Sequence, residues 1–333
     1  MRILIATPLY PPQVGGPATY SRNLEEALRA QGHTVDVKTF GPLLRFPPLV
    51  RHAFFAIQLL PSAFRADALI AFDTFSVGVP ATLVSMVSRK PLLVRVGGDF
   101  LWERYVQRTG ELVPLPRLYR EPERWGGKEK VVFAAVRFVA RHAHLAFSSG
   151  WQLEIWRSAY ALDNTRVAVI ENAIEKKLEA IAPVRKNFLF YTREITLKNH
   201  AAFRSAFARA KETYPDIELE EGMVAHAELL ERMRACYAVV LPSISDITPN
   251  YIIDAIRCGK PFLLTKYSGY VERFGHYGVL VDPLDGADMA RGVERLTDAT
   301  TYEQLRAKIA NFSEIHTYDD IAREFLALIE PQS

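Results

Sequence analysis

The chain has 333 residues, of which 49% are hydrophobic and 24% are charged, and its formal net charge is +3 at pH 7. This composition is ordinary for a globular protein, and the length exceeds what one hydrophobic core usually supports, which predicts two domains. A net charge near zero without a recognition motif argues against a nucleic-acid-binding protein, and neither a signal peptide nor a bilayer-spanning apolar run is apparent.

The N-terminal segment predicts a strand–helix–strand unit. MRILIATPLY alternates into a short buried strand, PPQVGGPATYSRNLEEALRAQGH follows as a loop and an amphipathic helix that ends at Gly32, and TVDVKTF supplies the next strand. Gly15 and Gly16 lie in the loop after the first strand, where open α/β sheets bind ligands. They could let the backbone approach a phosphate or sugar closely, or they could form a plain tight turn. The pair alone is not the G-x-G-x-x-G dinucleotide fingerprint.

Two stretches of the N-terminal half combine basic and apolar residues. LLRFPPLVRHAFFAIQLLPSAFR and KEKVVFAAVRFVARHAH interleave Arg, Lys or His with Phe, Leu, Val and Ile. Such stretches could lie on an anionic membrane surface, or they could be ordinary core-facing helices with solvated basic faces. Through Asn172 the chain carries 21 Lys plus Arg and 14 Asp plus Glu, a net charge of +7, whereas the remainder carries 20 and 24, a net −4.

The segment VRVGGDFLWERY predicts a strand, a loop and a helix. Asp99 in this loop could accept a proton from a hydroxyl group or hold a sugar hydroxyl. Alternatively it caps the helix that carries Trp102 and Glu103. Farther on, the strand HLAFSSG ends in serines that are typical of a turn. The strand RVAVIENAI then gives way to the charged linker EKKLEAIAPVRKN, which predicts a domain boundary near Ile174 to Pro183.

The next segment, NFLFYTREITLKNH, predicts an apolar strand followed by Arg193 and Lys198. Arg presents a planar fork of donors and Lys a point charge, and both bind phosphates without a metal. An Arg and a Lys at this spacing could equally form a solvated face. Their position after a strand and before a helix favours a site for an anion.

Two acids lie eight residues apart in LPSISDITPNYIIDAIRCGKPFLLTKYSGYVE. Apolar VVL leads into Pro242-Ser243, Asp246 precedes a helix that opens over Thr248 to Asp254, and CGKP ends it. Asp246 could be a simple helix cap and Asp254 an exposed helix position. However, eight residues are a little over two helical turns, so both carboxylates could contact one extended ligand. The free N–H groups of the helix start would suit a diphosphate.

These two segments together resemble the donor site of retaining family-4 glycosyltransferases of the GT-B fold, the glycosyl transferases group 1. In that family a Glu, seven residues and a second Glu follow a Pro-Ser; here both Glu positions are Asp. The resemblance implies that Asp246 hydrogen-bonds the transferred sugar, that Asp254 holds the ribose, and that Arg193 and Lys198 neutralise the diphosphate. The shorter Asp side chain retracts each carboxylate by roughly 1.5 Å.

The resemblance also implies an α/β GT-B fold, with two facing Rossmann-like domains and a cleft between them. The domains are expected at residues 1–174 (acceptor side) and 175–315 (donor side), with a helix at 316–333 that packs back on the first domain. Asp99, Arg193, Lys198 and Asp246 are the expected catalytic residues, Asp99 standing where many members carry a His. The expected donor-binding residues are Gly15, Gly16, Asn172, Arg193, Lys198, Thr248, Pro249, Asn250, Tyr251, Asp254 and Glu272.

The function implied is retaining transfer of a hexose-type sugar from a nucleotide-sugar to an acceptor hydroxyl. The acceptor could be a saccharide or a lipid-linked saccharide of a cell-envelope polysaccharide. The enzyme is expected in the cytoplasm, either free or peripheral on the inner membrane face. No metal or cofactor is expected, because the eight His are scattered and no Cys/His cluster has metal-site spacing. Cys236 and Cys258 are expected to be buried thiols. Two alternatives stay open: a nucleotide-sugar epimerase or hydrolase of the same fold, and a degenerate member that binds nucleotide without transfer.

Overall fold

The structure, a computed structural model, describes residues 1–13 and 15–329. It divides into two compact units. The first comprises Met1–Leu101, Pro122–Ala173 and the described residues from His316 onward, and the second comprises Trp102–Glu121 and Ile174–Ile315. The sequence placed all of residues 1–174 in one domain, whereas Trp102–Glu121 groups with the second unit. Within that unit, the buried Leu115 donates its N–H to Ser245 Oγ at 3.0 Å.

The strands are β1 (Arg2–Thr7), β2 (Thr34–Thr39), β3 (Ala68–Ala71), β4 (Leu92–Val96), β5 (His144–Phe147), β6 (Val167–Val169), β7 (Lys186–Phe190), β8 (Ile217–Glu221), β9 (Ala238–Leu241), β10 (Phe262–Thr265) and β11 (Gly278–Val281). The helices are α1 (Gly16–Ala30), α2 (Pro48–Arg65), α3 (Gly78–Ser88), α4 (Phe100–Thr109), α5 (Leu115–Arg120), α6 (Gly127–His142), α7 (Gly150–Tyr160), α8 (His200–Thr213), α9 (His226–Ala235), α10 (Asn250–Arg257), α11 (Val271–Phe274), α12 (Gly286–Thr297), α13 (Ala299–Ala310) and α14 (Tyr318–Ile329).

The first unit is built on a six-stranded parallel sheet in the order β2-β1-β3-β4-β5-β6. Ile5 of β1 pairs with Val37 of β2 and with Ile70 of β3. The helix α14 completes the core on one face of this sheet, because its Phe325, fully buried, packs in the same apolar cluster as Ile5. The C-terminal segment of the described chain is therefore part of the first unit's core.

The second unit has a five-stranded parallel sheet in the order β11-β10-β9-β7-β8. Alternate residues of β7 enter different cores: Phe188 and Phe190 pack with one cluster, and Leu189 packs with the other. This period of two is expected for a strand that is buried on both faces. The carboxyl ends of the neighbouring strands β7, β9 and β10 lead into the loops that carry the predicted site.

Both cysteines lie in the second unit. Cys236 and Cys258 are free and fully buried, which confirms the sequence-based expectation. Burial raises the pKa of each thiol to about 12, so a nucleophilic thiolate is disfavoured at both positions. Among the helices of the described residues, none has the length and apolarity that crossing a membrane would require.

Candidate functional site

An ion pair joins two of the predicted site residues at the strand ends of the second unit. Lys198, in the loop after β7, donates from Nζ to Oδ2 of Asp246, in the loop after β9, at 2.5 Å. The two side chains are 22% and 15% exposed, so the pair is largely screened from water but remains reachable. Ser243 Oγ donates to the same Asp246 oxygen at 3.3 Å. The carboxylate is therefore fixed by a cation and a hydroxyl of its own chain.

The backbone around Asp246 is tied to the loop that follows β10. The Asp246 N–H donates to the Tyr267 carbonyl at 3.0 Å, and the Gly269 N–H donates to the Asp246 carbonyl at 3.2 Å. These bonds form an isolated parallel bridge between Asp246 and Ser268. The predicted sugar-contacting acid thus lies on a short extension of the sheet, which limits its backbone movement.

The loop between β7 and α8 is braced on its inner side. His200, 6% exposed, stacks on Phe190 with 3.9 Å between ring centroids. One of its ring nitrogens lies 2.9 Å from Thr192 Oγ1 and the other lies 2.8 Å from Glu221 Oε1. Arg193, on the same loop, is exposed. The loop therefore holds Lys198 in place and leaves the Arg193 guanidinium at the surface.

Asn199 completes this loop by linking three segments. It adopts a left-handed conformation with φ of 62°, which Asn tolerates better than most residues. Its side-chain amide donates to the carbonyl of Pro283 at 2.8 Å and to that of Pro242 at 3.3 Å. The position next to Lys198 is thereby anchored to the end of β9, where the loop to Asp246 begins.

Asp254 has different surroundings from Asp246. It is 6% exposed, and Arg257 Nη1 donates to its Oδ1 at 2.8 Å. His226 Nε2 lies 2.8 Å from its Oδ2, and this hydrogen bond raises the pKa of His226 above its usual value. Arg257 also donates to Glu175 Oε2 at 2.7 Å. The two acids of the eight-residue motif therefore have no partner in common among these contacts, and Asp254 is occupied on both oxygens.

The residues between the two acids open α10. Pro249 precedes the helix with an extended backbone, and Thr248 and Asn250 flank it. Tyr251 turns inward: its hydroxyl donates to the Leu189 carbonyl at 2.9 Å and accepts from the Tyr191 N–H at 3.0 Å. Burial raises the pKa of Tyr251 well above its usual value. Tyr251 therefore fixes α10 to β7, a structural role that the sequence did not predict.

Glu272 lies on α11, one turn after the loop that is bonded to Asp246. Its side chain is exposed. The segment Gly222 to Ala225 immediately precedes α9 and His226. Both features belong to the same unit as the Lys198–Asp246 pair.

The remaining predicted residues belong to the first unit. Gly15 follows β1 with φ of 156°, and its carbonyl accepts from the Ala18 and Thr19 N–H groups at the start of α1. A Cβ at Gly15 would lie 3.2 Å from Leu9, whereas one at Gly16 would meet nothing within 4 Å. The pair therefore forms the helix start, and a side chain at Gly16 would extend into open space.

Asp99 and Asn172 are both buried in the first unit. Trp156 Nε1 donates to Asp99 Oδ2 at 2.8 Å. The side-chain oxygen of Asn172 accepts a hydrogen bond from Arg95. The backbone carbonyl oxygen of Asn172 lies 3.2 Å from His316 Nδ1. Arg95 also lies over the ring of Tyr20. Each predicted residue is therefore held by side chains of its own unit.

Several residues of this site were missed by the sequence-based prediction. Arg257 lies three positions after Asp254 and could have been found from the helical i,i+3 spacing. His226 and Asn199 carry no such signal, because their partners lie 28 residues or more away along the chain. Ser243 belongs to the Pro-Ser that was singled out only as a strand end.

Part of the chain matches a known family. Residues 172–299 match the family described as Glycosyl transferases group 1. The D-inositol 3-phosphate glycosyltransferase of Stackebrandtia nassauensis is 33% identical over 101 residues, which are 28% of this chain and 23% of that protein. The match thus spans about a quarter of that relative. The resemblance predicted from the sequence is confirmed for the segment that carries the Lys198–Asp246 pair.

Solved structures are similar over nearly the whole chain. WaaG, a glycosyltransferase involved in lipopolysaccharide biosynthesis, has a TM-score of 0.69 at 13% identity, covering 98% of this chain and 99% of its own. HepE of Anabaena in complex with UDP-glucose has a TM-score of 0.67 at 17% identity, with coverages of 98% and 99%. Sucrose-phosphate synthase of Thermosynechococcus elongatus has a TM-score of 0.67 at 16% identity, with coverages of 98% and 98%. These similarities confirm the predicted GT-B fold.

Proposed function

We propose that this protein is a glycosyltransferase that moves a hexose-type sugar from a nucleoside-diphosphate sugar to an acceptor hydroxyl, with retention of the anomeric configuration. The observation that carries the proposal is the Lys198–Asp246 pair at the carboxyl ends of β7 and β9. This edge is where open parallel sheets bind ligands. The pair also lies inside the segment that matches the group 1 family.

Lys198 has the properties of a diphosphate-binding cation. It is held by Asp246 at 2.5 Å and is still 22% exposed, so an incoming diphosphate can replace the carboxylate as its partner. Arg193, exposed on the same loop, supplies a second cation with a planar fork of donors. Once Lys198 turns to the diphosphate, Asp246 can accept a hydrogen bond from a hydroxyl of the transferred sugar. This exchange of partners requires no metal.

The proposed reaction is a displacement on one face of the sugar. The oxygen of the acceptor hydroxyl bonds to the anomeric carbon while the bond from that carbon to the diphosphate oxygen breaks. The departing phosphate takes the acceptor's proton, so no protein base is required. Lys198 and Arg193 stabilise the negative charge that develops on the diphosphate, which is electrostatic catalysis.

Asp254 would hold the ribose through one oxygen only. Its Oδ1 is bonded to the buried Arg257, whereas its Oδ2 faces His226, whose side chain is 65% exposed. An exposed imidazole can move aside at little cost in packing. We expect the ribose hydroxyl to replace His226 on Oδ2 while Arg257 keeps the carboxylate in position.

The donor nucleotide proposed first is a uridine diphosphate, because HepE has been solved with UDP-glucose. The acceptor class proposed is a saccharide or a lipid-linked saccharide, in line with WaaG, which is involved in lipopolysaccharide biosynthesis. We also propose that the enzyme is cytoplasmic and peripheral on the inner membrane face, a location that suits a nucleotide-sugar donor and a lipid-linked acceptor.

A second candidate function is nucleotide binding without transfer. It is favoured by one observation: both motif acids are occupied by cations of their own chain. In that case UDP would bind, but no sugar would reach any acceptor and no nucleoside diphosphate would be released from a nucleotide-sugar.

The proposal is tested by measuring the release of nucleoside diphosphate from a panel of nucleotide-sugars. The assay contains saccharide acceptors, and EDTA to remove metal ions. We expect Lys198→Ala to lower turnover at least tenfold, which corresponds to about 1.4 kcal/mol of transition-state stabilisation. Lys211→Ala, which removes an exposed lysine at the end of α8, is the matched control and should keep wild-type turnover. Equal rates for the wild-type protein and Lys198→Ala would contradict the assignment.

A further inference from the structure

The helix α2 of the first unit is apolar on two sides. One side is fully buried in the unit through Phe55, Leu59 and Ala63. The other side carries a second stripe at spacings of four and three residues, made of Val50, Phe54, Ile57, Pro61 and Phe64, and all of these are exposed. The exposed fractions of Ile57 and Phe64 are 62% and 58%. An apolar helix face normally packs against a core, so the outer stripe of α2 lacks the cover that its composition predicts.

The neighbouring helix α3 extends this apolar surface. It packs against α2, and its exposed residues are Leu83, Met86 and Val87, again at helical spacing. Contiguous apolar patches of this kind are uncommon on soluble monomers and mark interaction sites. The outer stripe of α2 and the exposed residues of α3 are together called the apolar face below.

The charged side chains that α2 and α6 expose have one sign. Neither Gly41–Arg65 nor the segment from Gly78 to Lys90 contains an Asp or Glu. The helix α6, which packs against α3, exposes a basic stripe on its outer side, made of Lys130, Arg137 and Arg141. The acid of α6, Glu129, is 5% exposed and accepts a hydrogen bond from the Gly126 N–H. The exposed charges of α2, α3 and α6 are therefore all positive.

We propose that the apolar face and the basic stripe of α6 bind an anionic lipid surface. The side chains of Phe54, Ile57 and Phe64 would enter the boundary between headgroups and acyl chains, and the basic side chains would contact anionic headgroups. A second copy of the same face is disfavoured as the occupant, because a symmetric contact would bring like charges together. The inference goes beyond the proposed transfer reaction and requires no donor nucleotide.

Co-sedimentation of the full chain with phosphatidylcholine vesicles, with and without phosphatidylglycerol, tests this proposal. We expect binding only to the vesicles that contain phosphatidylglycerol, and weaker binding at high salt, where screening is stronger. The pair Arg137→Gln and Arg141→Gln should weaken binding about thirtyfold, as expected for two basic side chains at the surface. The pair Ile57→Ser and Phe64→Ser should weaken it by more than about tenfold.

The matched control is the pair Val184→Ser and Arg209→Gln, which removes one exposed apolar and one exposed basic side chain from the second unit. It should bind as the wild-type protein does. All of these positions are exposed, so the variants should keep the thermal unfolding of the wild type, which checks that they are folded. Failure of the wild type to bind anionic vesicles would overturn the proposal. Dimerisation of the wild type that Ile57→Ser and Phe64→Ser abolish, without vesicle binding, would also overturn it and assign the apolar face to a second copy.

Discussion

Asp246 and Asp254 are chemically identical side chains whose surroundings give them different roles. Asp246 lies where the strands of the second sheet have their carboxyl ends. Its partner Lys198 can release it and bind another anion, because both side chains are partly exposed. Asp254 is buried against Arg257, which is itself 6% exposed. A buried ion pair is costly to break, since the remaining charge loses both its partner and water. We therefore expect the Lys198–Asp246 pair to separate readily and the Arg257–Asp254 pair to stay fixed.

Arg257→Ala should destabilise the second unit strongly. It leaves the buried Asp254 without its Oδ1 partner and removes the bond to Glu175, so we expect a loss of about 3–5 kcal/mol in the free energy of unfolding. Arg257→Lys should not restore it, because a point charge cannot replace two bonds from a planar fork. Urea unfolding measures both, and the exposed Arg295→Ala should cost less than about 0.5 kcal/mol. A cost for Arg257→Ala as small as that of Arg295→Ala would show that Arg257 does not hold the carboxylate.

His226 should make stability depend on pH in one direction. Its hydrogen bond to Asp254 raises its pKa in the folded protein, so the folded state binds the proton more tightly than the unfolded chain does. This contribution is fully present below the unfolded pKa of about 6.5 and is lost as the pH rises through the raised folded pKa.

The measurement is urea unfolding of the wild type and His226→Ala at about pH 5.5 and about pH 8.5. The stability difference between the two proteins should be larger at the lower pH. The exposed His276→Ala is the control, and its effect on stability should stay within about 0.5 kcal/mol. A larger effect of His226→Ala at the higher pH would contradict the assigned hydrogen bond.

The spacing along the chain placed the two acids relative to a helix, but it could not predict their partners. The eight-residue interval placed Asp246 before a helix and Asp254 inside it, as the structure shows. The interval contains no information about His226, the first residue of α9, or Lys198, in the loop after β7, which lie 28 and 48 residues from their acids. Those contacts depend on the order of strands in the sheet, and β7 lies beside β9 only after the sheet has formed.

At the scale of elements, helix packing on the second sheet depends on a glycine. Gly292 of α12 lies against the sheet, where a Cβ would meet Val281 Cγ1 at 2.4 Å and Leu263 Cδ1 at 3.0 Å. The stiff Val side chain cannot move aside easily. The strands β10 and β11, which carry these two residues, continue directly into loops near the site, so the position of α12 affects the frame on which Asp246 rests.

Gly292→Ala should therefore destabilise the protein by about 1–3 kcal/mol through overpacking. Gly286→Ala in the same helix is the matched control, since a Cβ there meets nothing within 4 Å. Its effect should stay within about 0.5 kcal/mol. Thermal or urea unfolding of the two variants shows whether the neighbours of Gly292 can shift to accommodate a Cβ. Equal stability of the two variants would contradict a close approach of α12 to the sheet.

Strands and helices with a clear period were predictable, whereas the helix faces were not. The apolar runs of β1 and β7 and the amphipathic α1 appear where the sequence placed them. For α2, the sequence offered either a core-facing helix or a membrane-facing one. The structure shows that one side is buried and that the other is also apolar, a combination that a list of apolar residues does not distinguish from a fully buried helix.

At the scale of the whole molecule, two domains were predictable from the chain length, and the α/β GT-B fold was predictable from the resemblance of the Arg193–Lys198 and Asp246–Asp254 segments to a known family. The grouping of Trp102–Glu121 with the second unit was not, because no composition change marks it. The basic residues of the N-terminal half are gathered in part on α6, in the first unit, while Lys198 and Arg193, the proposed diphosphate-binding residues, lie in the second, more acidic half of the sequence. Net charge alone therefore does not locate the proposed donor site.

Ligand-induced thermal stabilisation tests whether Lys198 and its partners form the proposed nucleotide-sugar site. With EDTA present, UDP at about 100 times its dissociation constant should stabilise the wild type by roughly 2.7 kcal/mol. The shift should be retained in Lys211→Ala and lost in Lys198→Ala. Stabilisation of Lys198→Ala equal to that of the wild type, or no stabilisation by any nucleoside diphosphate or nucleotide-sugar, would contradict the proposed site.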